Sequence, residues 1–253
     1  NELSLENLKC ENTQDQVNEN TPVVFPKESK ENTPIPTENI FSQRSIAGIF
    51  LPDNMSVTNR KNQLKRPKYK LLIDILKYPF STITQRYKRL KLHSKLGNKC
   101  RKDLIAEKCI LPKKIITSKG WITLFELTRK GKMVLNDLGH EFKNESEGVV
   151  HKFWKHKISE FYKNEGLDVR VEEYYVNGRP DIIVNKDDKK IAIEIETGKS
   201  NYIGNIERAL EAGFDEVICA AVNRFVEDKI SRDIEAKGIQ DDRVRVVSVK
   251  GFG

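Results

Sequence analysis

Arg179-Pro180-Asp181-Ile182-Ile183-Val184 and Ile191-Ala192-Ile193-Glu194-Ile195-Glu196-Thr197-Gly198-Lys199 are joined by Asn185-Lys186-Asp187-Asp188-Lys189-Lys190. β-branched residues on both sides of a polar turn predict two strands of one hairpin. If the hairpin is symmetric about Asp187 and Asp188, Asp181 stands opposite Glu194. Directly opposed residues share a face, with Cβ atoms ~5 Å apart. Glu196 is two residues further along and shares that face, while Ile182, Ile193 and Ile195 occupy the other. Three carboxylates therefore converge on one side of an otherwise apolar strand pair.

Opposed like charges destabilise a sheet and raise one another's proton affinity unless a cation compensates. A hard divalent ion, Mg²⁺ or Mn²⁺, prefers such oxygen donors, keeps several waters and can activate one against a phosphodiester. Asp181, Glu194 and Glu196 are thus the candidate metal ligands. Lys199 lies just past the second strand, where its ammonium can approach a phosphate. The competing assignment for Glu196 is a cross-strand ion pair with Arg179, which the same register sets opposite it.

Working outward, Gly148–Gly166 carries Val150, Phe153, Trp154, Ile158, Phe161 and Tyr162 near one helical face. A β-rich run, Val169–Val176, precedes the hairpin. A helix (Tyr202–Ala212), a buried strand (Glu216–Val222), a second helix (Arg224–Lys237) and a last strand (Val244–Val249) follow it. The order α-β-β-β-α-β-α-β predicts a mixed sheet flanked by helices over 145–253.

Upstream the charge changes sharply. Residues 60–132 hold 22 Lys and Arg against 4 Asp and Glu, whereas 1–59 and 133–253 are each net negative, within a chain of net charge +8. Such segregation calls for a polyanion, nucleic acid first. Tyr69–Lys77 reads as a helix stopped by Pro79. Thr82-Ile83-Thr84-Gln85 reads as a capping box opening a second helix with Ile83, Tyr87 and Leu90 on one face. His93–Asn98 reads as a turn and Lys99–Lys108 as a third helix. Lys114–Thr117 and Trp121–Leu127 flank the hairpin turn Ser118-Lys119-Gly120, and Thr128 opens a last short helix. This is the order of a winged helix-turn-helix over 60–140. It places Arg86, Lys88, Arg89, Lys95, Asn98, Lys99, Arg101, Lys102, Lys114 and Lys119 as candidate DNA contacts, mostly to the backbone because Lys predominates. Trp121, Tyr87 and Phe125 are expected in the core.

Residues 1–59 are polar and aperiodic and read as a disordered acidic linker, with one apolar island at Ser45–Pro52. Asn1 rather than Met at the first position leads us to expect a longer parent chain. The four cysteines show no metal-ligand spacing and read as thiols of a cytoplasmic protein. No apolar run is long enough for a membrane span.

Asp181, Glu194 and Glu196 with Lys199, on that order of elements, resemble the PD-(D/E)xK nuclease superfamily. The resemblance implies a restriction-endonuclease-like α/β (α+β) domain, a Mg²⁺ or Mn²⁺ cofactor and DNA as partner. Where the family pattern has lysine this chain has Glu196, so the motif reads E-x-E, and Lys199 is the nearest lysine. The family often adds an acid from the first helix; here Glu145 and Glu147 are candidates, with His151 one turn further on and more often structural. A second resemblance covers roughly residues 65–235. Leu-Thr-Arg-Lys-Gly at 127–131, His-Lys-Phe-Trp at 151–154 and Ile-Glu-Thr-Gly-Lys-Ser at 195–200 are similar to the C-terminal part of HerA-like and conjugation-type DNA-translocating ATPases. It implies such an ATPase as a partner; a second copy of the chain is a further one. No P-loop occurs, because Ile193 stands where its first glycine belongs. The leading expectation is a Mg²⁺-dependent DNA endonuclease, with Glu147 completing the catalytic set. The alternative is a non-catalytic DNA-binding or docking module on the same fold. A transcriptional regulator is disfavoured, for the C-terminal half shows neither dimerisation heptads nor a small-ligand motif.

Overall fold

The computed structural model describes residues 62–141, 147–176 and 178–252. The acidic segment 1–59, its apolar island and Glu145 lie outside them.

The basic segment forms α1 (Pro67–Lys77), α2 (Ile83–Arg89), α3 (Ser94–Ala106), the hairpin β1 (Ile110–Thr117) and β2 (Gly120–Leu127), and α4 (Arg129–Asp137). Pro67 sits in the first turn of α1, where its missing N–H costs nothing. Thr82 and Gln85 form the expected reciprocal cap of α2. The third helix begins five residues earlier than its sequence suggested, because the His93 ring accepts the Lys95 N–H and caps it. Gly97, read as a turn residue, is instead a close-packing position inside this helix. A Cβ there would lie 2.6 Å from the Tyr87 ring. Leu71, Leu72, Ile75, Tyr87, Leu104, Ile110, Phe125 and Leu135 close the core of this part.

Arg86 is a correction to the expected DNA contacts. It is fully buried, donates to Asp74 and to the carbonyls of Tyr78 and Pro79, and cannot reach a phosphate. Arg89 grips the same Asp74 through two nitrogens and lies over the Tyr78 ring. Removing one partner of a buried ion pair strands the other's charge, so these arginines lock α2 to α1 through Asp74, with the Arg86 Nε itself buried and without a hydrogen-bond partner. Lys88, Lys95, Asn98, Lys99, Lys102, Lys114 and Lys119 are exposed and Arg101 is half-buried. Tyr87 and Phe125 are core, but Trp121 is not: it is 70% exposed.

The remainder forms α5 (Val149–Asn164), β3 (Asp168–Val171), β4 (Ile182–Lys186), β5 (Lys189–Glu196), α6 (Tyr202–Glu211), β6 (Glu216–Ala221), α7 (Arg224–Ala236) and β7 (Val244–Ser248). The sheet order is β3-β4-β5-β6-β7, with the first two pairings antiparallel and the last two parallel. The β4–β5 register is the expected one, Ile182 facing Ile193 and Ile183 facing Ala192. Asp187 and Asp188 both take positive φ, the requirement of a two-residue hairpin turn whose twist matches its strands. Helix α5 covers one face of the sheet, where Phe153, Trp154 and Ile158 meet Ile182, Val184, Ile191, Ile193 and Ile195. Helices α6 and α7 cover the other, against Ile183, Ala192, Val217, Cys219 and Ala221. Ile115 and Leu124 of the β1–β2 hairpin enter the α5 core too, so the basic part and the sheet are packed against each other. Among the described residues no helix is long and apolar enough to cross a membrane.

Candidate active site

Helix α5 opens at Gly148, which has no side chain to cap it. Glu126 of β2 accepts the Val149 N–H instead, at 3.1 Å. A Cβ on Gly148 would stand 3.0 Å from that same carboxylate oxygen, so the borrowed cap needs glycine or a small shift. The cap fixes the direction of the first turns, so that Glu147 just ahead of the helix and His151 and Lys155 on it fall one turn apart along one side.

These three meet Asp181, which sits just before β4. His151 Nε2 lies 3.0 Å from Asp181 Oδ2, and its Nδ1 lies 3.5 Å from Glu147 Oε2. Strand β5 runs past the start of β4, so its Ile195 N–H lacks a strand partner on that side. Asp181 Oδ2 accepts it at 2.8 Å. Glu147, His151 and Asp181 each offer a ligand atom within 4.8 Å of the others, the one such group among the described residues. Burial works against a charged His151, but the bond to Asp181 and the charges of Asp181 and Glu147 outweigh it, and its pKa is raised.

Behind Asp181, Glu194 and Glu196 project from β5 on the face shared with Ala192, opposite α5. Both are buried. Glu194 has Asn205 of α6 at 3.5 Å, and Glu196 accepts from Ser200. Burial, then the charges of Asp181 and Glu196, push the Glu194 carboxyl up to about 9. Burial likewise raises Glu196. The fold therefore brings Asp181 to both groups: the Glu147–His151 line at the start of α5, and a pair of buried acids whose cationic neighbours, Arg208 for Glu194 and His151 for Glu196, do not offset their burial. Lys199 stands exposed in the turn after Gly198. The ion pair weighed between Glu196 and Arg179 does not form, since Arg179 bonds Glu172 instead.

Sequence reasoning passed over Lys155 and Glu172. Lys155 is buried, and its Nζ donates to Glu147 at 2.5 Å and to Glu172 in the loop after β3. The ammonium pulls the Glu172 carboxyl below its usual range. The spacing 147, 151, 155 was visible in the sequence; the return of Glu172 to it was not. Replacing Lys155 with Met should destabilise the protein by about 1–2 kcal/mol in urea unfolding. Loss of one partner of a fully buried pair costs more, but both glutamates here can rehydrate. Unchanged stability would mean that the ammonium is not holding them.

A helix-flanked mixed sheet with acids gathered at the β4–β5 hairpin is a nuclease-like α/β arrangement. Residues 147–199 match the family model described as competence protein CoiA, nuclease-like domain. That stretch begins at Glu147 and ends at Lys199, and so spans every acid of the site. No curated protein and no solved structure matches the chain.

Proposed function

We propose that the chain is a metal-dependent nuclease that cuts DNA. The observation that carries this is the meeting of Glu147, His151 and Asp181 in front of the buried Glu194 and Glu196, within the segment that resembles a nuclease-like domain. The donors fit a hard divalent ion: carboxylate oxygens dominate and suit Mg²⁺, and the single imidazole also admits Mn²⁺. Asp181 and Glu194 would hold it, with Glu147 and His151 on the open side. Such an ion supplies positive charge to the phosphate and acidifies water.

The chain's own groups do the rest. Glu196, steadied by Ser200, orients water for attack on phosphorus and takes its proton. The new P–O bond forms from that water as the bond to the leaving strand end breaks. Lys199 faces solvent and steadies the phosphate, while Lys155 keeps Glu147 in position. The three helices and hairpin upstream act as a winged helix, using Lys88, Lys95, Asn98, Lys99, Arg101, Lys102, Lys114 and Lys119 on the DNA backbone. Competence, the word attached to the matched family, fits a role in processing DNA during transfer.

One observation favours a second reading. Glu196 occupies the place of the superfamily's lysine, which suits a docking module on a nuclease-like scaffold, working beside a DNA-translocating ATPase. Linear, branched and single-stranded DNA incubated with Mg²⁺, with Mn²⁺ or with EDTA separates the two. Cutting that needs the metal is expected; binding without cutting under every condition would leave the docking module.

A further inference from the structure

In the β1–β2 hairpin Ile116 pairs with Trp121 and Lys114 with Thr123. Ile115, Ile122 and Leu124 turn to the α5 core, so Lys114, Ile116, Trp121 and Thr123 share the opposite face. Near the helices that face is buried, through Ile110 and Phe125. Towards the turn it is open, and Trp121 is 70% exposed there. Lys114 on the same face and Lys119 in the turn are exposed as well. The one acid of the hairpin, Glu126, lies on the other face, occupied by Lys113 and by the N-terminus of α5. An indole left in water forfeits the burial that normally keeps tryptophan inside. Its setting here is uniformly positive, within a segment of 22 basic and 4 acidic residues.

We infer that Trp121, backed by Ile116 and flanked by Lys114 and Lys119, is a stacking site for an unpaired or terminal nucleobase of a DNA strand. The inference rests on the basic segment binding DNA, and is independent of whether the acidic site cuts. A base inside a duplex is already stacked on both sides. Only a single strand, a frayed end or a branch offers a free π face, while the two lysines meet the adjoining phosphates. The site would therefore direct the protein towards DNA with unpaired bases.

The chain contains two tryptophans, and Trp154 is 1% exposed. The water-exposed part of the emission thus reports Trp121. The full chain is titrated, with Ca²⁺ replacing Mg²⁺, against labelled oligothymidylate of about 20 nucleotides and against a relaxed, covalently closed circular duplex, which has neither ends nor loops. Anisotropy gives affinity and tryptophan emission gives contact. The expected result is quenching by the single strand and little by the closed duplex. Trp121→Ala should lose roughly tenfold or more in affinity for the single strand and little for the closed duplex. Trp121→Phe should recover part of it. The salt dependence should stay the same, since no charge is removed. Tight binding with unchanged emission, or equal losses on both DNAs, would overturn the inference while leaving the basic surface as a DNA contact. Failure of the wild type to bind either DNA would overturn both. Emission that answers only to an added protein would assign the indole to a protein partner and overturn it too.

Discussion

Asp181→Ala is expected to abolish metal-dependent cleavage, by about a thousandfold or more, without unfolding the protein. Asp181 is the residue both halves of the site share. Its carboxylate holds the His151 ring on one side and the Ile195 N–H of β5 on the other, and its charge acts on Glu194 and Glu196. Removing it takes away a ligand and frees His151 to turn, and losing transition-state stabilisation of about 4 kcal/mol corresponds to that factor. Its removal also relieves the repulsion on Glu194, so the melting temperature should hold or rise. Retention of cutting in Asp181→Ala, with the metal still required, would place the chemistry elsewhere. His151→Ala, which touches the site from one side only, should cost about tenfold to a hundredfold.

The second large effect is on stability and follows from Glu194. Its carboxyl titrates near 9 in the folded protein, against an ordinary value of 4.5. Between those values the folded state keeps a proton that the unfolded state has lost, so stability must fall as pH rises through that window. Glu196 and His151 are raised as well and act in the same direction. Metal-free protein should therefore be most stable below about pH 4.5 as far as these groups decide it. It should lose on the order of 1 kcal/mol per pH unit towards pH 9. Glu194→Gln keeps the shape without the charge. It should flatten that slope and stabilise the metal-free protein at pH 8 by about 2–4 kcal/mol, while removing metal-dependent cleavage. Mn²⁺ should stabilise the wild type most at high pH, where the proton no longer competes, and the glutamine variant hardly at all. Thermal unfolding across pH, with and without Mn²⁺, checks each point. A flat profile for the wild type would show that Glu194 is solvated or already paired. Proteins commonly tolerate such local instability where function requires it.

What could be read from the sequence alone was the local pattern. The two-residue turn at Asp187-Asp188 determined the register of β4 on β5, because a hairpin symmetric about it sets Ile182 opposite Ile193 and Ile183 opposite Ala192. The order of helices and strands followed from periodicity and from stops such as Pro79. The segregation of positive charge into one segment was equally plain. His93–Asn98 reads as a turn in one dimension, because a glycine packed beneath a ring and a histidine used as a cap both look like breakers. The tertiary structure alone decided which charges are available. Arg86 reads as a DNA contact until the turn between α1 and α2 folds it onto Asp74 in the core. Trp121 read as core until the hairpin set one of its faces on α5 and left the tip of the other in solvent. Lys155 and Glu172 meet only because β3 returns beside α5. Periodicity specifies which face of an element is apolar. It does not specify what that face, or the charge beside it, will meet, since that depends on contacts between residues far apart in the chain.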